Sequence, residues 1–90
     1  MHLTEDQLEA IRKLARASGV RAVYLFGSVL DDSVEPADID IAVEGAPAEA
    51  FFRFYAKLES LFSKPVDLVD LDSHTHVTDL IARRALKIYG

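Results

Sequence analysis

The chain has 90 residues, half of them apolar, with fifteen acidic against ten basic side chains and a formal charge of −5. That length suffices for one hydrophobic core but not for a catalytic domain plus a separate substrate domain, so residues 1–90 are expected to form a single domain. The lack of cysteine excludes disulfides, thiolate metal sites and cysteine nucleophiles, and the acidic balance argues against direct binding to a nucleic-acid backbone.

Thr4, with Gln7 three residues on, has the pattern of a capping box ahead of the apolar stripe Leu8, Ile11, Leu14 and Ala15. A first helix is therefore predicted over residues 4–18, stopped by Gly19. Ala22 to Phe26 reads as a buried strand, closed by Gly27-Ser28, where a strand end can turn backbone N–H groups towards an anion. An acidic loop with Asp31, Asp32 and Glu35 follows, and a second strand is predicted over Asp38 to Val43. Side chains alternate along a strand, so Asp38 and Asp40 share a face about 6 to 7 Å apart, while Ile39 and Ile41 enter the core.

Pro47 suits a first helical turn, and Phe51, Phe54, Tyr55, Leu58, Leu61 and Phe62 recur at helical spacing, which predicts a second helix over residues 47–62. Phe52 falls off that stripe and is expected to be exposed, as a partner contact. Lys64-Pro65 ends the helix, and Val66 to Asp70 has the composition of a third strand. Asp72 or Thr75 can cap a last helix bearing Val77, Leu80, Ile81 and Ala85, leaving Leu86 to Tyr89 as an extended tail. Arg83 and Arg84 could reach a phosphate, but the reading preferred from sequence is a solvated last turn, where cations favour the helix dipole. His74 and His76 read as exposed loop residues, without further ligands nearby. The order α-β-β-α-β-α makes an α/β (α+β) fold, a small mixed sheet covered by helices in two layers. No apolar run is long enough to cross a membrane, and no apolar segment follows an N-terminal basic cluster, so a soluble cytoplasmic protein is expected.

The same-facing pair Asp38 and Asp40 can bind one or two Mg²⁺ ions if a neighbouring strand adds a third carboxylate. Asp67 and Asp70 lie three apart and face opposite ways, so only one joins, and Asp67, near the start of its strand, is the choice. Oxygen ligands without histidine or cysteine suit Mg²⁺ shared with substrate phosphates, not zinc. Gly27 lets the backbone approach a phosphate, and Ser28 offers a hydroxyl and an N–H to the same group.

With these motifs the chain resembles the minimal nucleotidyltransferases of the DNA polymerase β-like superfamily. Leu25-Phe26-Gly27-Ser28, Asp38-Ile39-Asp40-Ile41-Ala42-Val43 and Val66-Asp67-Leu68-Val69-Asp70 carry the resemblance, which extends over nearly the whole chain, including Ile81 to Tyr89. It implies a nucleotidyltransferase fold, with Gly27 and Ser28 holding nucleotide phosphates, Asp38, Asp40 and Asp67 binding Mg²⁺, and Asp67 activating an acceptor hydroxyl. The implied reaction transfers a nucleoside monophosphate, AMP from ATP, with release of pyrophosphate. It further implies the antitoxin role of a toxin–antitoxin pair, with a helical HEPN-domain partner whose tyrosine hydroxyl is the acceptor. Relatives commonly follow Gly-Ser with any residue and then Ala-Arg-Gly; this chain has Val29-Leu30-Asp31-Asp32, an anion at the cation's place. A second reading is therefore a non-catalytic antitoxin that neutralises its partner by binding alone. A free-standing transferase for a small acceptor is a third, disfavoured by the lack of a substrate domain.

Overall fold

The computed structural model describes residues 1–90 and contains three helices and one four-stranded sheet. Helix α1 spans Glu5–Ser18. Its cap is reciprocal: Gln7 N–H donates to Thr4 Oγ1 at 3.1 Å, and Thr4 N–H donates to Gln7 Oε1 at 2.9 Å. Glu5 and Asp6 in its first turn favour the positive end of the dipole, and Gly19 closes it in the left-handed conformation at φ 81°. Strand β1 covers Ala22–Leu25, and a 3₁₀ turn over Gly27–Leu30 follows. Strand β2 covers Ile39–Glu44, helix α2 Ala48–Glu59 and strand β3 Val66–Asp70. A second 3₁₀ turn over Leu71–Ser73 leads to helix α3, His76–Arg84, and strand β4, Leu86–Tyr89.

The sheet order is β3-β2-β1-β4. β1 is antiparallel to both β2 and β4, whereas β2 and β3 are parallel. A parallel pair cannot be joined by a tight turn, and α2 supplies the crossover. Along β2, Ile39, Ile41 and Val43 pack with Val23 and Leu25 of β1, Ile11 and Ala15 of α1, and Phe54 and Leu58 of α2 in one core. The two long helices thus cover one face of the sheet. Asp40, Ala42 and Glu44 project to the opposite face.

Four sequence expectations change. Leu86 to Tyr89 is not a tail but an edge strand, so the order gains a final β: β4 satisfies the otherwise unpaired edge of β1. Arg12 secures it by donating from Nε to Ile88 O at 2.8 Å, and the Arg16 guanidinium stands 6.0 Å over the Tyr89 ring. α2 ends at Glu59, three residues before Phe62, because Ser60 Oγ donates to Lys57 O at 2.7 Å and Leu61 N–H to Leu58 O at 3.0 Å, tightening the last turn. Leu61 and Phe62 still pack against the core from beyond the helix. The apolar residues Val77 and Leu80 of α3 stand outside the core, 63% and 46% exposed, and Thr78 is the residue that helix buries. Finally, β2 begins at Ile39, which leaves Asp38 just ahead of the strand. Thr75, one of two expected caps, makes the box with Thr78, while Phe52 is 68% exposed as its position predicts. No helix is long and apolar enough to cross a membrane.

Candidate functional site

The end of β1 is clamped to β2 by Phe26 N–H donating to Asp40 O at 3.2 Å. The next residue, Gly27, has φ 73°, which glycine adopts without steric cost. A Cβ there would overlap Asp40 Oδ2 and stand 3.2 Å from Asp40 Cγ. Gly27 is thus required twice, by its backbone angle and by the carboxylate packed against its Cα. Ser28 occupies the first turn of the 3₁₀ segment, half-buried, with Val29 fully buried beneath it as an anchor.

Asp40 is half-buried, and its register partner on β3 is Asp67, which is exposed on an edge strand. In-register residues of neighbouring strands share a face, so the two carboxylates stand side by side. Burial raises the Asp40 carboxyl above the usual carboxylate range, and the negative charges of Asp67 and Asp38 raise it further. Asp70 behaves as its spacing predicts: it pairs with Val43, whose side chain belongs to the core face, and its carboxylate caps the following turn by accepting Asp72 N–H at 2.9 Å.

No three His, Cys, Asp or Glu side chains converge closely enough to enclose an ion by themselves. The donor set nevertheless suits a hard cation, which typically retains waters and shares substrate phosphates. All three groups are carboxylates, and the repulsion that disfavours ionised Asp40 is the kind a bound cation relieves. His74 is drawn instead to Asp79, with Nδ1 3.7 Å from Oδ1, and neither it nor His76 joins a metal-holding group.

The acidic loop after the Gly-Ser turn is occupied locally. The Asp31 carboxylate accepts Ser33 N–H at 2.9 Å and Ser33 Oγ–H at 2.6 Å, which lowers its pKa. Asp32 pairs with the N-terminal ammonium, with the same effect. Both anions thus have partners of their own.

Sequence reasoning leaves one neighbour of Gly27 unplaced. A cleft of about 440 Å³ is lined by Phe26, Gly27, Leu80, Ile81, Arg83 and Arg84. The register Leu25↔Leu86 brings the end of α3 alongside the end of β1, so Arg83 and Arg84 follow from the strand pairing that the sequence conceals. None of the three carboxylates lines this cleft. Another cavity of about 430 Å³, with Leu3, Glu35, Pro36 and Lys64 in its wall, contains neither the carboxylates nor Gly27.

A strand-Gly-Ser turn beside carboxylates on two neighbouring strands of a small mixed sheet is the architecture the sequence resemblance implies. The family model for polymerase beta nucleotidyltransferases matches residues 9–89. The chain belongs to this family, among the minimal nucleotidyltransferases. A toxin–antitoxin structure with AMP-PNP aligns at a TM-score of 0.73 and 32% identity, covering 98% of this chain and 73% of that chain. The structure of tri-AMPylated Shewanella oneidensis HEPN toxin in complex with MNT antitoxin aligns at 0.72 and 31% identity, covering 98% and 73% of the two chains. A further minimal nucleotidyltransferase gives 0.70 and 26%, covering 90% and 88%. No curated protein matches the chain.

Proposed function

We propose that the protein is a Mg²⁺-dependent nucleotidyltransferase that moves AMP from ATP to a hydroxyl of a HEPN-type helical partner, and so acts as the antitoxin of a toxin–antitoxin pair. The observation that carries the reading is the in-register pairing of Asp40 with Asp67 beside Gly27. Asp38, Asp40 and Asp67 would hold the ion. An ion held there would neutralise triphosphate charge and lower the pKa of the acceptor hydroxyl. Gly27 admits a phosphate close to the backbone, and Ser28 donates its hydroxyl and N–H to it. Asp67, exposed on the edge strand, takes the proton of the incoming hydroxyl. The new bond joins that oxygen to the α-phosphorus, the bond from the α-phosphorus to the bridging oxygen breaks, and pyrophosphate departs.

The partner assignment draws on the HEPN toxin in the related complex and on the exposed Asp67 at the edge of the sheet. Incubation of the chain with a HEPN-type partner, Mg²⁺ and labelled ATP tests the reading. Transfer of label to the partner is expected, and loss of transfer in Asp38→Ala and Asp40→Ala. A complex that forms without any transfer contradicts the enzymatic role.

The loop anions Asp31 and Asp32 favour a second reading, in which neutralisation comes from binding alone. That reading predicts that Asp38→Ala still protects cells fully from the partner, whereas the first predicts loss of protection.

A further inference from the structure

The proposed nucleotide site has an electrostatic deficit. The Asp40 carboxylate stands against Gly27 with the charges of Asp67 and Asp38 acting on it, the loop that follows contains Asp31 and Asp32 but no cation, and the chain as a whole is at −5. A polyphosphate needs positive charge beyond one divalent ion in such surroundings. Several cations of the chain are committed elsewhere: Arg12 to Glu5 and Glu9, Arg21 to Glu44, Lys64 to Glu35, Arg16 over Tyr89 and Lys87 over Tyr24. Arg83 and Arg84 form no ion pair and no hydrogen bond through their side chains, and both line the cleft that Gly27 borders.

Their place in the last turn of α3 accounts for positive charge there through the helix dipole. It does not account for both arginines lining the same 440 Å³ cleft as Gly27. Their position is fixed from both sides. Ala85 N–H donates to Ile81 O at 3.0 Å to close the helix, and Leu86 then pairs with Leu25 of β1. The remaining cleft residues are the apolar Phe26, Leu80 and Ile81, which offer no competing charge.

We infer that Arg83 and Arg84 bind the polyphosphate of the nucleotide, supplying from α3 the cations that the loop over residues 29–32 lacks; the inference rests on the nucleotide-binding reading proposed above. Guanidinium groups suit this task because their planar donor forks match phosphate oxygens in pairs.

Calorimetric titration of the chain with Mg²⁺ and ATP, and separately with Mg²⁺ and inorganic pyrophosphate, tests it. Arg83→Gln/Arg84→Gln is expected to weaken both ligands at least tenfold and to flatten the dependence of affinity on salt. The unliganded melting temperature should stay unchanged, since both side chains are exposed. The pair Arg83→Lys/Arg84→Lys should bind more tightly than the glutamine pair, and Arg53→Gln, on α2, should bind as the wild type does. A wild-type chain that binds both ligands while the glutamine pair binds them equally well overturns this inference and leaves the proposed function standing. A lysine pair no better than the glutamine pair also overturns it, because charge would then not be the cause. A wild-type chain that binds neither ligand overturns both readings.

Discussion

Gly27 and Asp40 depend on each other, and each gives a measurable consequence. Gly27→Ala adds a Cβ at φ 73° against the Asp40 carboxylate, so the carboxylate must move. The left-handed backbone alone costs about 1–2 kcal/mol for a residue with a Cβ, and urea denaturation should register a loss of at least that size together with lost binding of Mg²⁺ and ATP. Asp40 is held above the ordinary carboxylate range by burial and then by Asp67 and Asp38. A folded-state pKa raised above the unfolded value means that this group favours the fold below the unfolded pKa, and that this contribution is lost as pH rises through the folded pKa. In metal-free buffer, Asp40→Asn should therefore melt higher than the wild type at pH 7 and lose most of that advantage at acidic pH. Equal melting of the two proteins at pH 7 would contradict a raised Asp40 pKa. Mg²⁺ should raise the wild-type melting temperature and raise that of Asp40→Asn less. These residues are legible in the sequence because their relation is local: two carboxylates at spacing two, one just ahead of a strand and one on it, and a glycine directly after a strand. The Asp40–Asp67 register is less local, yet the opposite facing of Asp67 and Asp70 restricts the choice to one.

Elements are legible where one period governs them and obscure where a distant partner decides. α1 announces itself through the Thr4–Gln7 box and a clean stripe. It also holds the one buried polar side-chain atom without a hydrogen-bond partner, Ser18 Oγ, in a residue 3% exposed. Ser18→Ala should therefore stabilise the protein by about 1 kcal/mol, through removal of an unsatisfied hydroxyl and a gain in helix propensity, as thermal denaturation would report. A destabilised variant would mean that the hydroxyl is satisfied after all. β4 is obscure for the opposite reason: Leu-Lys-Ile-Tyr is four residues long, and its partner β1 lies some sixty residues earlier in the chain. Missing that strand also hides where α3 ends, and with it the meeting of Arg83 and Arg84 with Gly27. The stripe of α3 misleads in a further way, since Val77 and Leu80 have helical spacing but no core to face. Periodicity identifies an amphipathic helix without saying what its apolar side touches.

At the scale of the whole molecule, the layering sets the functional logic. α1 and α2 seal one face of the sheet, and Asp40 and Asp67 lie towards the other. In the proposed function the carboxylate face handles the nucleotide, and the acceptor hydroxyl comes from the partner. Exposed apolar side chains at Phe52, Val77 and Leu80 are compatible with such a partner surface. The measurement that bears most directly on this account is the intact mass of a HEPN-type partner after incubation with the chain, Mg²⁺ and ATP. A mass increase of one or more adenylate groups is expected, absent when Asp40→Ala replaces the wild type. An unmodified partner, recovered in stable complex with the wild-type chain, would contradict it.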